Sequence, residues 1–335
     1  MINPLDRTTY VLGAGASWHA GYPLCSELWP RMAMWVIESR DQNLEYRRAV
    51  DAIVTLNGPV VDVEAVFTNL DLGGGAFRGL AEGQRKKLTG RIQRCLGDYF
   101  KDICHQHLPL PLYEAFADRV QPGDRIITFN YDVALENALI KARKFGVKNG
   151  YGTSFVADWE EPDSLVEVIK LHGSINWIGM IFGGATQGYS AFTNSLGERP
   201  FVDNVGSLLP AYPGRVLDTS FKGGGVTGGA TTLVLPTYEK KFSVGTSVGE
   251  EWGPFYESLW SQATDALRQS HRIVIIGYSM PEADHRAQAI LLWEANKRAE
   301  VYLCCAGSNE TLKRRFQTHG FQRVVEVGAF SDFLS

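Results

Sequence analysis

The sequence predicts an α/β protein built on a Rossmann-like, mostly parallel sheet with helices on both faces and an inserted helical subdomain. Two observations predict this class: short apolar runs alternate with segments of helical periodicity, and polar clusters follow directly after the apolar runs. The chain of 335 residues is 44% hydrophobic and 21% charged, which is enough apolar material for a large buried core. We expect a single domain over residues 1–335.

The Rossmann-like core is expected in three stretches of the chain, at about 8–38, 120–178 and 231–330. Apolar runs predict strands at 10–12, 126–129, 165–171, 233–235, 272–276, 300–304 and 324–327. Helical periodicity predicts helices at 26–38, 133–145, 252–270, from after Pro281 to 293, and at 309–319. Strands that alternate with helices in this way are typical of a parallel sheet covered on both faces.

A helical insertion is expected at about 41–118, with helices at 44–56, 61–70 and 85–107. The last of these carries an apolar stripe that is typical of core packing: Leu88, Ile92, Cys95, Leu96, Tyr99 and Ile103. In contrast, residues 179–231 are rich in Gly, Ser and Pro, and we expect them to be irregular, as a mobile lid or an interaction loop.

Composition excludes several classes of function. The 33 Lys and Arg against 37 Asp and Glu leave a net charge of −4, which does not support nucleic-acid binding along the chain. The first seven residues are polar and run straight into a strand, and no apolar run approaches the roughly 20 residues that span a bilayer. The five cysteines lack C-x-x-C spacing. We therefore expect a cytoplasmic, reduced protein without a structural metal or a membrane segment.

The glycine-rich stretch Gly-Ala-Gly-Ala-Ser at 13–17 follows the first apolar run and precedes a helix. Such a strand–turn–helix unit binds phosphates, because glycines let the backbone come close and the helix N-terminus presents unpaired N–H groups. However, Trp18 stands at the third glycine position of G-x-G-x-x-G, and no strand ending in Asp or Glu follows at the usual distance. The stretch predicts a dinucleotide site without predicting hydride transfer.

Polar clusters follow four of the apolar runs, at 13–17, 130–132, 172–174 and 277–279. Open parallel sheets bind ligands at the carboxyl ends of their strands. If the strands are neighbours, all four clusters meet in one crevice.

These clusters belong to motifs that resemble the sirtuin-like domain of bacterial antiphage defence proteins. In order, they are Gly-Ala-Gly-Ala-Ser at 13–17 with Ala-Gly-Tyr-Pro at 20–23, Phe-Asn-Tyr-Asp at 129–132, Lys-Leu-His-Gly-Ser at 170–174 and Ile-Gly-Tyr-Ser-Met-Pro-Glu-Ala-Asp at 276–284. Residues 238–241 match a weaker pattern of the same family. The resemblance implies a Rossmann-type NAD⁺ site, with NAD⁺ as substrate and no metal, and cleavage of the nicotinamide–ribose bond.

Three residues are the candidates for catalysis. His172 matches the family's catalytic histidine, and an unperturbed imidazole titrates close to neutral pH, which suits a general base. Asn130 matches an essential asparagine and could hold a ribose hydroxyl or the attacking water through its amide. Asp132 could accept a hydrogen bond from the nicotinamide carboxamide and stabilise positive charge that develops on the ribose.

The residues expected to bind NAD⁺ are those of the glycine-rich stretch and of the loop at 277–279, together with two of the catalytic candidates: Gly13, Ala14, Gly15, Ser17, Gly21, Asn130, Asp132, Gly277, Tyr278 and Ser279. The other histidines are not expected to be catalytic: His19, His105, His107, His271, His285 and His319.

Each of these candidates also has a purely structural interpretation. His172 could end a strand, and Gly277 with Ser279 could form a turn that touches no ligand. Asn130 and Asp132 could cap the helix that begins at 133, since both residue types are preferred there. Asp284 could bind ribose or face solvent.

Departures from the deacylating sirtuins point to water as the acceptor. The paired C-x-x-C motifs of their zinc ribbon are missing, and Leu-Cys-Ser at 24–26 replaces Asp-Phe-Arg after Pro23. The leading hypothesis is an NAD⁺ glycohydrolase that forms ADP-ribose and nicotinamide and depletes NAD⁺ in antiphage defence by abortive infection. A non-catalytic NAD⁺- or ADP-ribose-binding regulatory subunit is the first alternative, and a deacylase or ADP-ribosyltransferase is the second.

Control of such an activity is expected to come from outside the catalytic core. The chain shows no obvious sensor segment, and a constitutive NADase would kill its own cell. We therefore expect a homo-oligomer, a separate sensor or ATPase subunit, or both, with no direct nucleic-acid binding.

Overall fold

The computed structural model describes residues 7–39, 44–58, 62–106, 108–146, 149–151, 155–156, 163–182, 209–210, 226–235, 249–282 and 284–335. Ten strands occur in these ranges: β1 Thr8–Leu12, β2 Arg125–Thr128, β3 Phe155–Val156, β4 Glu167–Lys170, β5 Gly173–Phe182, β6 Leu209–Pro210, β7 Val226–Leu233, β8 Arg272–Ile276, β9 Glu300–Cys304 and β10 Val324–Glu326.

Six of the strands form a fully parallel sheet in the order β10-β9-β8-β1-β2-β4. The first strand lies in the middle, the next two are added on one side, and the last three on the other. This is the doubly wound order of Rossmann folds, and the order reverses between β1 and β8. The α/β class and the parallel sheet predicted from the sequence are confirmed.

The strands are held by apolar side chains that are buried on both faces of the sheet. Val11 and Leu12 of β1 are fully buried, and so are the last four residues of β8. A continuous apolar run without alternation is what a strand covered by helices on both faces requires. The predicted strand positions therefore follow from local composition.

The helices surround this sheet: α1 Ala14–Ser17, α2 Cys25–Glu38, α3 Leu44–Asn57, α4 Val63–Leu72, α5 Glu82–His105, α6 Pro111–Arg119, α7 Ala134–Lys141, α8 Gly249–Gln269, α9 His285–Gln288, α10 Glu310–Thr318 and α11 Phe330–Leu334. Short 3₁₀ turns at Trp18–Ala20 and Gly75–Phe77 and a π-helical turn at Ala289–Glu294 complete them. Among the described helices, none is long and apolar enough to cross a membrane.

The helical insertion is formed by α3 to α6. The stripe of α5 is buried as expected, because its apolar residues recur at helical spacing and face α3 and α4. Asp62 caps the N-terminus of α4, where its carboxylate accepts hydrogen bonds from the N–H groups of Glu64 and Ala65 (3.0 and 3.1 Å). Gly73, with φ 70°, caps the C-terminus. The short helices α6 and α11 were not predicted.

Strands β5 and β7 change the expectation for residues 179–231. They pair antiparallel from Gly173 opposite Leu233 to Phe182 opposite Val226, so both ends of this segment are strand and not irregular. Residues 183–208 and 211–225 of the segment lie outside the described residues, and so do residues 238–241. Of the strand predicted at 233–235, only Leu233 is strand: it is the last residue of β7, and 234–235 lie beyond the strand. The Gly- and Thr-rich part of β7 before it was not predicted.

The loops after β1 and β8 touch at the point where the strand order reverses. The N–H groups of Gly13 and Gly15 donate to the carbonyls of Ile276 and Gly277 at 3.0 and 2.9 Å. A Cβ on Gly13 would lie 2.7 Å from the backbone of Tyr278, and one on Gly15 would lie 2.9 Å from Gly277. These glycines are therefore required for contact between two loops.

We expect Gly277→Ala to destabilise the protein more than Gly307→Ala. Both glycines have positive φ (59° and 89°), so both alanines carry a backbone strain of about 1–2 kcal/mol. A Cβ at 277 would also lie 2.2 Å from the nitrogen of Ala16, whereas one at 307 would meet no described atom within 4 Å. Urea unfolding should show an additional loss of about 1–3 kcal/mol for Gly277→Ala. Equal losses would contradict the close packing of the two loops.

Candidate functional site

A cavity of about 540 Å³ opens at the carboxyl ends of the central strands. Its volume lies within the range of small-molecule sites, and its position at the reversal of strand order is where doubly wound sheets bind ligands. Every residue predicted for catalysis or NAD⁺ binding lines it except Gly21: Gly13, Ala14, Gly15, Ser17, Asn130, Asp132, His172, Gly277, Tyr278 and Ser279. The four polar clusters therefore meet in one crevice.

Gly21 lies outside the cavity lining. It has φ 86° and ends the 3₁₀ turn that follows α1, where its N–H donates to the carbonyl of Trp18 at 3.0 Å. A Cβ there would lie 2.6 Å from Cδ1 of Leu108, so the glycine also makes room for the helical insertion. The structure accounts for Gly21 through chain geometry and does not bring it to the other predicted residues.

Asn130 joins the loop after β2 to the loop after β1. Its amide nitrogen donates to the carbonyl of Gly13 and to the hydroxyl of Ser17, both at 2.9 Å. The Ser17 hydroxyl in turn shares a 2.7 Å hydrogen bond with the hydroxyl of Tyr113 on α6. With its N–H groups used in this way, the amide oxygen is the atom through which Asn130 could accept a hydrogen bond from a ribose hydroxyl or a water.

Asp132 both supports a helix and lines the cavity. Its carboxylate accepts a 3.1 Å hydrogen bond from the N–H of Ala134, the first residue of α7, so it supports the start of this helix although the N-cap position is Val133. The side chain is only 3% exposed. Burial raises the pKa of the Asp132 carboxyl, while the Lys170 ammonium group and a hydrogen bond with Ser17 oppose that rise.

His172 lies between β4 and β5, with 7% of its surface exposed. Its ring centroid is 5.1 Å from that of Phe129, and its carbonyl accepts a 2.9 Å hydrogen bond from the N–H of Val234. Tyr131 fixes the same loops, because its hydroxyl donates to the Val234 carbonyl at 2.5 Å and its own carbonyl accepts from the N–H of Ile175 at 2.9 Å. The antiparallel pair β5–β7 thus fixes the backbone of His172 beside the turn that carries Asn130 and Asp132.

The loop after β8 forms the opposite wall. Tyr278 stacks on Phe129 with centroids 4.3 Å apart and planes at 18°, and its hydroxyl donates to the carboxylate of Asp284 at 2.7 Å. Burial raises the pKa of the Tyr278 phenol well above its usual value, so it stays protonated as a donor. Asp284 is 2% exposed and lines the cavity, which excludes the interpretation that it faces solvent.

Sequence reasoning missed the wall that the helical region contributes. Glu64 at the start of α4, Phe100 on α5 and Leu28 on α2 all line the cavity. Phe100 lies four residues after Leu96 and so extends the apolar stripe of α5, which is why it had the pattern of a core residue. No local signal distinguishes Glu64 from a surface residue, because its place depends on how α4 packs.

The described part of the chain contains no candidate metal site. No group of three or more His, Cys, Asp or Glu side chains is arranged there to hold an ion.

Neither a protein-family model nor a curated protein sequence matches the chain. Solved structures similar to it include a Sir2 homologue in complex with NAD, at 13% identity over 98% of this chain and 86% of that chain, with a TM-score of 0.40. A Sir2 enzyme studied for mechanism and regulation is 14% identical over 98% and 90% of the two chains, with a TM-score of 0.43. A sirtuin studied for substrate affinity is 11% identical over 90% and 83%, with a TM-score of 0.35. The function of this chain therefore has to rest on its own residues.

We expect His19, next to the Ser17–Tyr113 pair, to make folding sensitive to acid. Its ring packs edge-on against Tyr113 at 4.8 Å, and within the described residues neither ring nitrogen has a hydrogen-bond partner. Burial lowers the pKa of His19 to about 4. The unfolded chain, with a pKa near 6.5, then binds more protons, so the free energy of unfolding should fall as pH drops from about 6.5 to about 4.

The measurement is urea unfolding between pH 4 and 7 for wild type and His19→Leu, with His105→Leu at the exposed end of α5 as the control. The slope of unfolding free energy against pH should decrease in His19→Leu and stay the same in the control. An unchanged slope in both variants would show that His19 titrates normally.

Proposed function

We propose that the cavity binds NAD⁺ and that the protein is a sirtuin-like NADase, which cleaves the nicotinamide–ribose bond with water to release nicotinamide and ADP-ribose. One observation carries the proposal: Asn130, Asp132 and His172 come from two different loops and meet at one cavity beside the glycine-rich turn. Neither a turn nor a helix cap requires all three to line the same space.

Cleavage of the nicotinamide–ribose bond needs little acid catalysis from the protein. Nicotinamide leaves as a neutral molecule from a cationic pyridinium, and positive charge builds on the ribose as an oxocarbenium ion. Ionised Asp132 would stabilise that charge, and its burial strengthens the interaction because little water screens it. The carboxylate could also accept a hydrogen bond from the nicotinamide carboxamide.

Attack by water needs a positioned oxygen and a proton acceptor. The amide oxygen of Asn130 could orient the water or a ribose hydroxyl, since its nitrogen is held by Gly13 and Ser17. His172 would take the proton that water loses as its oxygen bonds to the anomeric carbon. Tyr278, whose phenol stays protonated, would place the adenosine part of the substrate on the opposite wall.

The proposed cellular role rests on the motif resemblance. Depletion of NAD⁺ during phage infection would make the protein an effector of antiviral defence, held inactive until a homo-oligomer or a separate sensor or ATPase subunit assembles with it.

The test is release of fluorescence from etheno-NAD⁺, measured over a range of protein concentrations. Asn130→Ala and His172→Ala should each lower the rate by about 100-fold or more, as expected for loss of a positioned general base or water ligand. Asn57→Ala and His105→Ala, which change the same residue types outside the cavity lining, should keep the wild-type rate.

The products separate the alternatives. Free ADP-ribose and nicotinamide in equal amounts support hydrolysis, and labelled ADP-ribose on protein would indicate a transferase. Removal of an acyl group from lysine peptides would indicate a deacylase. Saturable NAD⁺ binding without cleavage at any protein concentration would favour a regulatory binding subunit.

We expect the enzyme to prefer NAD⁺ to NADP⁺. The described part of the cavity lining carries the carboxylates of Glu64, Asp132 and Asp284 and no Lys or Arg. The additional phosphate of NADP⁺ brings a charge of about −1.5 to −2 into these surroundings. The ratio of kcat/KM should favour NAD⁺ by at least about tenfold, a difference of about 1.4 kcal/mol.

Glu64→Gln should lower the ratio of kcat/KM for NAD⁺ to that for NADP⁺, because it removes one negative charge from the cavity lining. It leaves the Tyr278–Asp284 hydrogen bond in place. Equal use of the two dinucleotides by the wild type would contradict the electrostatic argument.

A further inference from the structure

Two oppositely charged side chains are buried directly behind the cavity. Lys170 on β4 is fully buried and Glu136 on α7 is 1% exposed. The ammonium nitrogen of Lys170 lies 2.9 Å from Oε1 of Glu136 and also donates to the backbone carbonyl of Asp132. Lys170 thus connects Glu136, in the first turn of α7, to Asp132 in the cavity wall.

Stability alone does not explain this pair. Removing two charges from water is costly, and buried ion pairs can often be replaced by apolar residues without loss of stability. Oε1 of Glu136 also accepts a 3.2 Å hydrogen bond from the hydroxyl of Tyr151, but within the described residues Oε2 has no hydrogen-bond partner. A packed core alone therefore does not require a charged pair here.

The position of Lys170 connects the two halves of the site. It lies two residues before His172, at the end of the strand that delivers this histidine. Its ammonium group holds the turn after β2, which delivers Asn130 and Asp132. One side chain therefore fixes the spacing between the loops that carry the proposed catalytic residues.

The same group influences the charge of Asp132. Burial is the largest influence and raises the pKa of the Asp132 carboxyl; Lys170 lowers this pKa, Glu136 raises it, and the effect of Lys170 is larger than that of Glu136. Among the described residues, the phenols of Tyr22 and Tyr113 also interact electrostatically with Asp132, and His172, Glu64 and Asp284 line the same cavity. Burial raises the pKa of both phenols well above the usual value, so they stay neutral throughout the acid and neutral range.

We propose that Lys170 is a positioning residue that favours the charged form of Asp132 and holds the 130–132 turn against the strand carrying His172, and that Glu136 opposes this effect on Asp132. The role of Asp132 at the cationic end of the substrate rests on the proposed function, but its ionisation does not. In this proposal the pair adjusts the charge state of the cavity.

Two variants test this because they should act in opposite directions. Glu136→Gln keeps the oxygen that accepts from Tyr151 and Lys170 but removes the opposing charge, so the pKa of Asp132 should fall. In Lys170→Met with Glu136→Gln both charges are gone, and because the effect of Lys170 is the larger, the pKa of Asp132 should rise. The control is Lys313→Met with Glu326→Gln, which removes a surface pair joined at 2.9 Å; it should leave Asp132 unchanged.

The direct readout is the carboxyl ¹³C shift of Asp132 against pH in aspartate-labelled protein, with folding checked by circular dichroism. The second readout is the acid limb of the pH–rate profile for etheno-NAD⁺, which should move to lower pH in Glu136→Gln and to higher pH in the double variant. Glu136→Gln alone decides the question if the double variant does not fold.

Shifts of Asp132 in the same direction in both variants, or no shift in Glu136→Gln, would overturn the proposal, since a merely structural pair has no reason to act with opposite signs. Opposite NMR shifts without any NAD⁺ cleavage would leave the role of Lys170 standing and remove the proposed function. If the wild type cleaves NAD⁺ but neither variant alters the titration of Asp132, the proposed function stands and the role of Lys170 is removed.

Discussion

The contact between the loops after β1 and β8 is the constraint on which the cavity depends. Gly13 and Gly15 on one side and Gly277 on the other bring two backbones together with no room for a Cβ. This contact closes the floor of the crevice where the strand order reverses, and it brings Tyr278 over Phe129. Asn130 then fastens the next loop to the same place through the Gly13 carbonyl. If the loops after β1 and β8 lay farther apart, all of these contacts would be lost together.

The sequence was sufficient for the parallel sheet because each of its strands is signalled locally. An apolar run such as 272–276 is covered on both faces and needs no partner to be recognised. The crevice was predictable for the same reason, since polar residues at the carboxyl ends of neighbouring strands must lie near one another. Asn130, Asp132 and His172 could therefore be placed together before any contact was known.

What could not be predicted depends on contacts distant in sequence. Strand β7 reads Val-Thr-Gly-Gly-Ala-Thr-Thr-Leu, which has neither an apolar run nor alternation, and only pairing with β5 makes it a strand. Glu64 became part of the cavity through the packing of α4. Gly13 and Gly15 were predicted because glycines let the backbone approach a phosphate. In the structure they are also needed because the loop after β8 leaves no room for a Cβ, and a single motif could not show this.

The buried charges behind the cavity differ from the apolar side chains that make up most of the core, such as the fully buried residues of β8. Behind the cavity, Asp132, Glu136 and Lys170 place two acidic groups around one basic group, although each charge is unfavourable to bury. Capping of α7 would be served by an exposed or neutral residue at 132, because Ser, Thr or Asn can accept the same N–H hydrogen bond. Asp132 therefore does more than accept the first N–H of the helix: it places an acidic group in the cavity wall, with a lysine at its own backbone carbonyl. Under the proposed function, the cationic nicotinamide end of NAD⁺ is the ligand that this negative charge would stabilise.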